Sequence, residues 1–139
     1  MTNGVDILLE STLASVDIAE RLVTEAAKSI GIDEEEQIRL GLAIHECMVN
    51  AVVHGNQYSE EKKVHLNVVP RDNAVEVIIG AQGDGFNPDD VPNPLEGDNL
   101  LRASGRGVLL IRAFVDEYEV RRLHPHGTEV RLVKYRAES

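Results

Sequence analysis

Tryptophan is absent from the chain, and the other aromatics are only three tyrosines and two phenylalanines. Surfaces on which nucleobases stack are therefore few. Positive charge is also scarce: 14 lysines and arginines stand against 24 aspartates and glutamates, a net charge of −10. That balance argues against a nucleic-acid partner, because phosphate backbones are bound through a basic footprint. A single nucleotide is not excluded, since backbone amides and a metal ion can hold its phosphates. The lone cysteine, Cys47, rules out an internal disulfide and points to the cytosol. No apolar run approaches the length of a membrane span, and the N-terminus lacks the pattern of a signal peptide. A cytoplasmic chain with no membrane or nucleic-acid partner is expected.

What is present is a globular composition, 42% hydrophobic over 139 residues, enough for a single core and one domain spanning 1–139. The chain is organised around residues 41–55, the second half of a helix expected over 34–55. At 100° per residue Ile44, Met48, Ala51 and Val52 share one face, as in a helix packed on a core. Glu46 and Asn50, four apart, lie one above the other on a second face flanked by Leu42, Ala43 and Val53. A carboxylate and a carboxamide among apolar neighbours are costly unless something pairs with them. A cation or a reacting hydroxyl would serve. From this helix alone, the pair reads equally well as solvated residues of an exposed face.

Around that helix the elements follow in order. Residues 5–10 form a short strand candidate. Ser15 is placed to cap a helix over 16–30, with Asp17 in its first turn and a buried stripe of Val16, Ala19, Val23, Ala26 and Ile30. Gly31 ends it. Asp33 opens the central helix, with Glu34, Glu35 and Glu36 near its positive end. Val64, Leu66 and Val68 alternate with polar residues, residues 71–73 supply a turn, and Val75, Val77 and Ile79 alternate on the return. Residues 80–107 then hold six glycines, three prolines and four aspartates with little periodicity. A loop of that length in a compact domain is usually functional. A helix over 108–114 and two more alternating strands, joined by a turn at 124–127, complete an order that predicts an α+β, two-layer sandwich. Its sheet is expected to be mixed and mostly antiparallel, with helices on one face.

Chemistry concentrates in the glycine-rich segments. Gly83-Asp84-Gly85-Phe86 follows a strand, and Ser104-Gly105-Arg106-Gly107 leads into a helix, where exposed amides form an anion site. Either motif alone reads more readily as a plain turn, and Gly127-Thr128 alone is accounted for by a hairpin exit. His45-Glu46 lacks the second histidine of a zinc-protease motif, because position 49 is Val49.

Taken together, Glu46-x-x-x-Asn50-Ala51-x-x-His54-Gly55, Gly83-x-Gly85-Phe86, Ser104-Gly105-x-Gly107 and Gly127-Thr128 resemble the GHKL (Bergerat-fold) ATPase superfamily. Within it the chain is similar to the small anti-sigma factor serine kinases, the RsbW-like group. The resemblance implies ATP and Mg2+ as cofactors and a role for each matching residue. Glu46 would be the general base that takes a proton from a partner's serine. Asn50 would ligate magnesium through an oxygen suited to that hard ion. Gly83 and Gly85 would shape the wall beside the adenine, and residues 87–103 would form a lid. Gly105, Arg106 and Gly107, with Ser104, would lie along the phosphates, and Thr128 would reach the adenine region.

One position departs from the family pattern. Where the family carries an aspartate that accepts a hydrogen bond from the adenine amino group, this chain has Ala81. Two functions follow as expectations. One is an anti-sigma factor with protein-serine kinase activity on a STAS-type anti-anti-sigma partner, itself a homodimer that binds a sigma factor. The other is a kinase-like binding module that holds its partner with weak or no ATP chemistry.

Overall fold

The computed structural model describes residues 4–82, 103–122 and 127–137. Five strands, β1 (Val5–Leu9), β2 (Val64–Pro70), β3 (Ala74–Ala81), β4 (Glu117–Arg122) and β5 (Thr128–Tyr135), form one sheet in the order β1-β2-β3-β5-β4. Every described pairing is antiparallel, so the parallel component expected of a mixed sheet is not found among them. Three helices, α1 (Leu13–Ser29), α2 (Glu34–Val49) and α3 (Ala103–Phe114), complete the two layers. The α+β sandwich of the expectation holds.

Alternation in the strands produces this layering. Val64, Leu66 and Val68 of β2, Val77 and Ile79 of β3, and Leu132 of β5 are buried beneath the helices. Their intervening neighbours lie on the opposite face. From α2, Leu40, Ile44 and Met48, and from the turn that follows it Val52, enter the same core, and each is inaccessible to solvent. Full burial of each such side chain contributes about 1.5–3 kcal/mol.

The ends of the helices are set by local chemistry. Ile30 caps α1, and Gly31, at φ +88°, takes the left-handed conformation that reverses the chain. The amide of Ile32 reaches back to the carbonyl of Ala27 at 3.1 Å and that of Gly31 to Lys28 at 3.1 Å, which is the Schellman arrangement. Asp33 accepts a hydrogen bond from the Glu36 amide at 2.9 Å and starts α2, as expected. The Lys134 ammonium, 2.5 Å from Glu36, holds that carboxyl below its usual range and ties β5 to the start of α2.

Three boundaries differ from the sequence reading. Helix α1 begins at Leu13 with Thr12 as its cap residue, so Ser15 is buried within the helix and Asp17 lies beyond the first turn. The turn made by Thr12, whose amide bonds to the Glu10 carbonyl at 2.9 Å, starts the helix earlier than the serine would. The 34–55 helix is not uniform: α2 stops at Val49, and Asn50–Gly55 continues as a π-helical turn. Helix α3 begins at Ala103 rather than 108, so residues 104–107 lie inside it rather than ahead of it. Packing of α3 along α2 outweighs the poor helical propensity of its two glycines.

The sheet face away from the helices is ionic. Glu76 of β3 accepts from Arg71 at 2.9 Å and from Arg131 of β5 at 2.6 Å, and Arg131 continues to Glu117 of β4 at 3.1 Å. Arg71, and after it Arg131, holds the Glu76 carboxyl below the usual range.

Candidate nucleotide site

The site is built where the π turn meets the ends of β3 and β5. At the α-to-π transition the Asn50 amide is shared between the carbonyls of Cys47 and Glu46. The turn closes with the amide of Asn56 bonded to the Ala51 carbonyl at 2.8 Å, one residue wider than an α-helical bond. Asn56, 1% exposed, anchors this end through its carboxamide, which donates to Ser11 Oγ and to the Lys63 carbonyl, each at 3.0 Å. Gln57 and Tyr58 then take left-handed backbone angles, φ 52° and 58°, which carry the chain away towards β2. Strain of this kind in non-glycine residues persists only where surrounding structure enforces it. Here the Tyr58 amide bonded to the Val52 carbonyl at 3.0 Å helps to enforce it.

The wide turn brings Gly55 against β3. A Cβ built on Gly55 would lie 2.9 Å from the Ala81 Cβ, so no larger residue fits without displacement. Ala81 in turn stands directly opposite Thr128 in the β3–β5 ladder, and both are buried. Asn50, Ala81 and Thr128 thereby line one recess of about 340 Å³, including the part open to solvent. Its remaining walls are largely apolar, with Ile79 and Val130 from the sheet, Ile111 from α3, and Cys47. Asn50 is 6% exposed, and its side chain makes no hydrogen bond to a described residue. No described side-chain N or O atom is sealed from solvent without a partner. Asn50 is one of the residues lining the recess, where a ligand can bond to its carboxamide.

Two further groups, Cys47 and Tyr118, line the recess but were not singled out by sequence reasoning as part of a site. Burial pushes the Cys47 thiol up to about 12 and the Tyr118 phenol likewise to about 12. Both therefore stay neutral at physiological pH. The Arg112 guanidinium sits 5.5 Å from the centre of the Tyr118 ring, which lines the recess. The inward parity of Tyr118 in an alternating strand was the available signal.

The other expected site residues divide into three groups. Glu46 is half-buried one turn before Asn50 and does not line the recess. Its flank is mixed, because Ala43 is buried while Leu42 is 44% exposed. Ser104, Gly105, Arg106 and Gly107 form the opening turns of α3, the helix whose Ile111 reaches the recess. Amides of a helix's first turn have no intrahelical acceptor, so the anion-binding capacity expected of this segment belongs to the helix start itself. Gly83, Gly85 and the lid proposed over 87–103, apart from Ala103, lie outside the described residues.

Comparison with known proteins decides the family. Residues 9–134 match the histidine kinase-like ATPase domain. The chain belongs to that family. The chain is also 32% identical over 121 residues to the anti-sigma F factors of Bacillus thuringiensis (strain Al Hakam) and Bacillus anthracis (strain A0248), covering 84% of this chain and 83% of theirs. Its fold is similar to part of the structure of the RsbU and RsbW domains of Rv1364c from Mycobacterium tuberculosis, with a TM-score of 0.66 at 20% identity. That match covers 99% of this chain and 34% of the other. The RsbW-like GHKL resemblance read from the motifs is thus borne out in both sequence and fold.

Proposed function

We propose that this ATPase domain is an anti-sigma regulatory factor that binds ATP in the recess and transfers its γ-phosphate to a serine of a STAS-type anti-anti-sigma protein. The observation that carries the reading is the convergence of Asn50, Ala81 and Thr128 on one recess. Similarity to proteins named anti-sigma F factors supports a sigma factor as the sequestered partner. Homodimerisation and a cytoplasmic location belong to the same reading.

In this scheme the apolar walls beside Ile79 and Val130 receive the adenine, and Thr128 lies at its edge. The first-turn amides of α3 face the phosphates. Asn50 would hold magnesium, which supplies charge neutralisation between the phosphates when bound. Glu46, one turn back and half-buried, takes the proton from the serine hydroxyl. The serine Oγ bonds to the γ-phosphorus as the bond to the ADP oxygen breaks, and ADP leaves.

The decisive experiment follows transfer of radiolabelled γ-phosphate to an anti-anti-sigma protein by the parent chain and by Glu46→Ala. Transfer is expected from the parent only, with nucleotide affinity in the variant within a few-fold. Transfer at the parent rate by Glu46→Ala removes that residue as the base.

A second reading, a binding module with little ATP chemistry, is favoured by Ala81. Its methyl faces the recess at the end of β3 where a carboxylate would accept from an adenine amino group. Calorimetry of the parent and Ala81→Asp with ADP and GDP separates the readings. In a nucleotide pocket the variant gains about 1.5–3 kcal/mol for ADP alone, roughly ten- to 150-fold in affinity. Equal affinities in all four pairings favour the binding module.

A further inference from the structure

On the outer side of the helix pair, α1 and α2 bring together three side chains that the nucleotide reading does not use. Asp17 and Glu20 are three apart on α1 and so share a face. His45 stands on α2, four residues beyond Gly41. One imidazole nitrogen and one oxygen from each carboxylate lie within 4.8 Å of one another. We propose that Asp17, Glu20 and His45 form a binding site for a zinc-class divalent ion that bridges α1 and α2.

The geometry already matches a coordination shell along one edge. His45 Nδ1 and Glu20 Oε2 are 3.4 Å apart. That is long for a charge-assisted hydrogen bond, which runs at about 2.7–2.9 Å. It equals the separation of two ligands bound tetrahedrally at about 2.0–2.2 Å, roughly 3.4 Å. Asp17 is exposed, so its carboxylate is free to rotate and close the third edge. Room for Glu20 comes from Gly41: a Cβ there would lie 3.3 Å from Glu20 Oε1 and 3.2 Å from Thr24 Cγ2. With no side chain at that point, Glu20 leans over α2 and reaches His45.

The donor set decides the class of ion. An imidazole nitrogen with two carboxylate oxygens suits zinc, nickel or cobalt, whereas magnesium and calcium take oxygen shells. Two carboxylates neutralise a doubly charged ion, and three protein ligands leave one position for water. The ion would pin α1 to the helix that carries Glu46, the residue after His45.

The test titrates zinc chloride into the full metal-stripped chain without nucleotide, followed by calorimetry and by the imidazole resonances in NMR spectra. One equivalent should bind, with the His45 ring signals shifting in step. His45→Ala, Glu20→Gln and the exposed, near-isosteric Asp17→Asn should each weaken that equivalent. The loss for His45→Ala should exceed the roughly 10–100-fold cost of losing an outer-sphere partner. His65→Ala serves as the control, because His65 pairs with Asp6 on the other face of the sheet and should leave binding unchanged. Parent-like zinc affinity in any of the three variants overturns the site, as does the absence of binding at millimolar zinc or its loss in His65→Ala alone.

Discussion

The Cβ of Ala81 occupies the space that a side chain on Gly55 would need, with 2.9 Å between the two positions. The end of the π turn and the end of β3 thus pack directly against each other. Gly55→Ala should destabilise the fold by roughly 1–3 kcal/mol through overpacking. Adding Ala81→Gly should recover part of that loss, because the second change removes the opposing methyl. Urea midpoints for the two single variants and the double variant test the coupling. Strict additivity would show that the two residues do not press on each other.

Asn50 carries the next prediction. Asn50→Ala should weaken ATP binding strongly in the presence of magnesium and only slightly in its absence, since only the metal-dependent part uses the carboxamide oxygen. Calorimetry with and without EDTA measures the split. Equal losses in both conditions would make Asn50 a structural residue of the turn.

Alkaline pH should unfold the chain early. The Cys47 thiol, lifted from 9.0 to about 12, and the Tyr118 phenol, lifted from 10.0 to about 12, stay protonated in the fold while the unfolded chain releases those protons. Their raised values contribute stability that is complete below about pH 9 and falls as pH climbs towards 12. The thiol alone should give a slope of up to about 1.4 kcal/mol per pH unit in that window. Cys47→Ala should flatten the decline between pH 9 and 10, as read from urea unfolding at each pH. An unchanged slope would mean that the thiol is not sealed in the fold.

In acid the sign reverses. Glu76 is held below the ordinary carboxylate value of 4.5, so its contribution is present above that pH and disappears as pH falls through the lower folded value. Glu76→Gln should cost about 1 kcal/mol at neutral pH, reduced from the usual worth of charged hydrogen bonds because Arg71 is mostly exposed. The difference from the parent should shrink with added salt and vanish in strong acid. A gap that persists in acid would assign the loss to packing instead.

Much of this was legible because single residues carried unambiguous local physics. Asp33 has one helix start to cap, Gly31 one reversal to make, and the alternation in β2 and β3 admits one inward face. The π turn was not legible, since Ile44, Met48, Ala51 and Val52 keep an apolar face in either hydrogen-bonding register. A one-residue widening is worth roughly 100° of rotation, and only contact with β3 chooses it. The start of α3 was misplaced for a related reason. Glycines at 105 and 107 read locally as a loop, while the helix there is stabilised by α2. Among the site residues, the motif spacing identified Asn50, Ala81 and Thr128, which meet in three dimensions. Nothing in the linear order announced Asn56, whose partner Ser11 is remote in sequence.

Among the described residues the order of the sheet leaves β1 and β4 with one open side each, and the two borders are protected differently. Along β4 run Glu117, Glu119, Arg121 and Arg122, and a foreign strand docking there would have to accommodate that dense charge. β1 is only Val5–Leu9, with Leu8 64% exposed and a single charge at Asp6. One border is defended by electrostatics and the other mainly by brevity. If partly unfolded copies of this chain ever stack into fibrils, the growth point is the N-terminal strand.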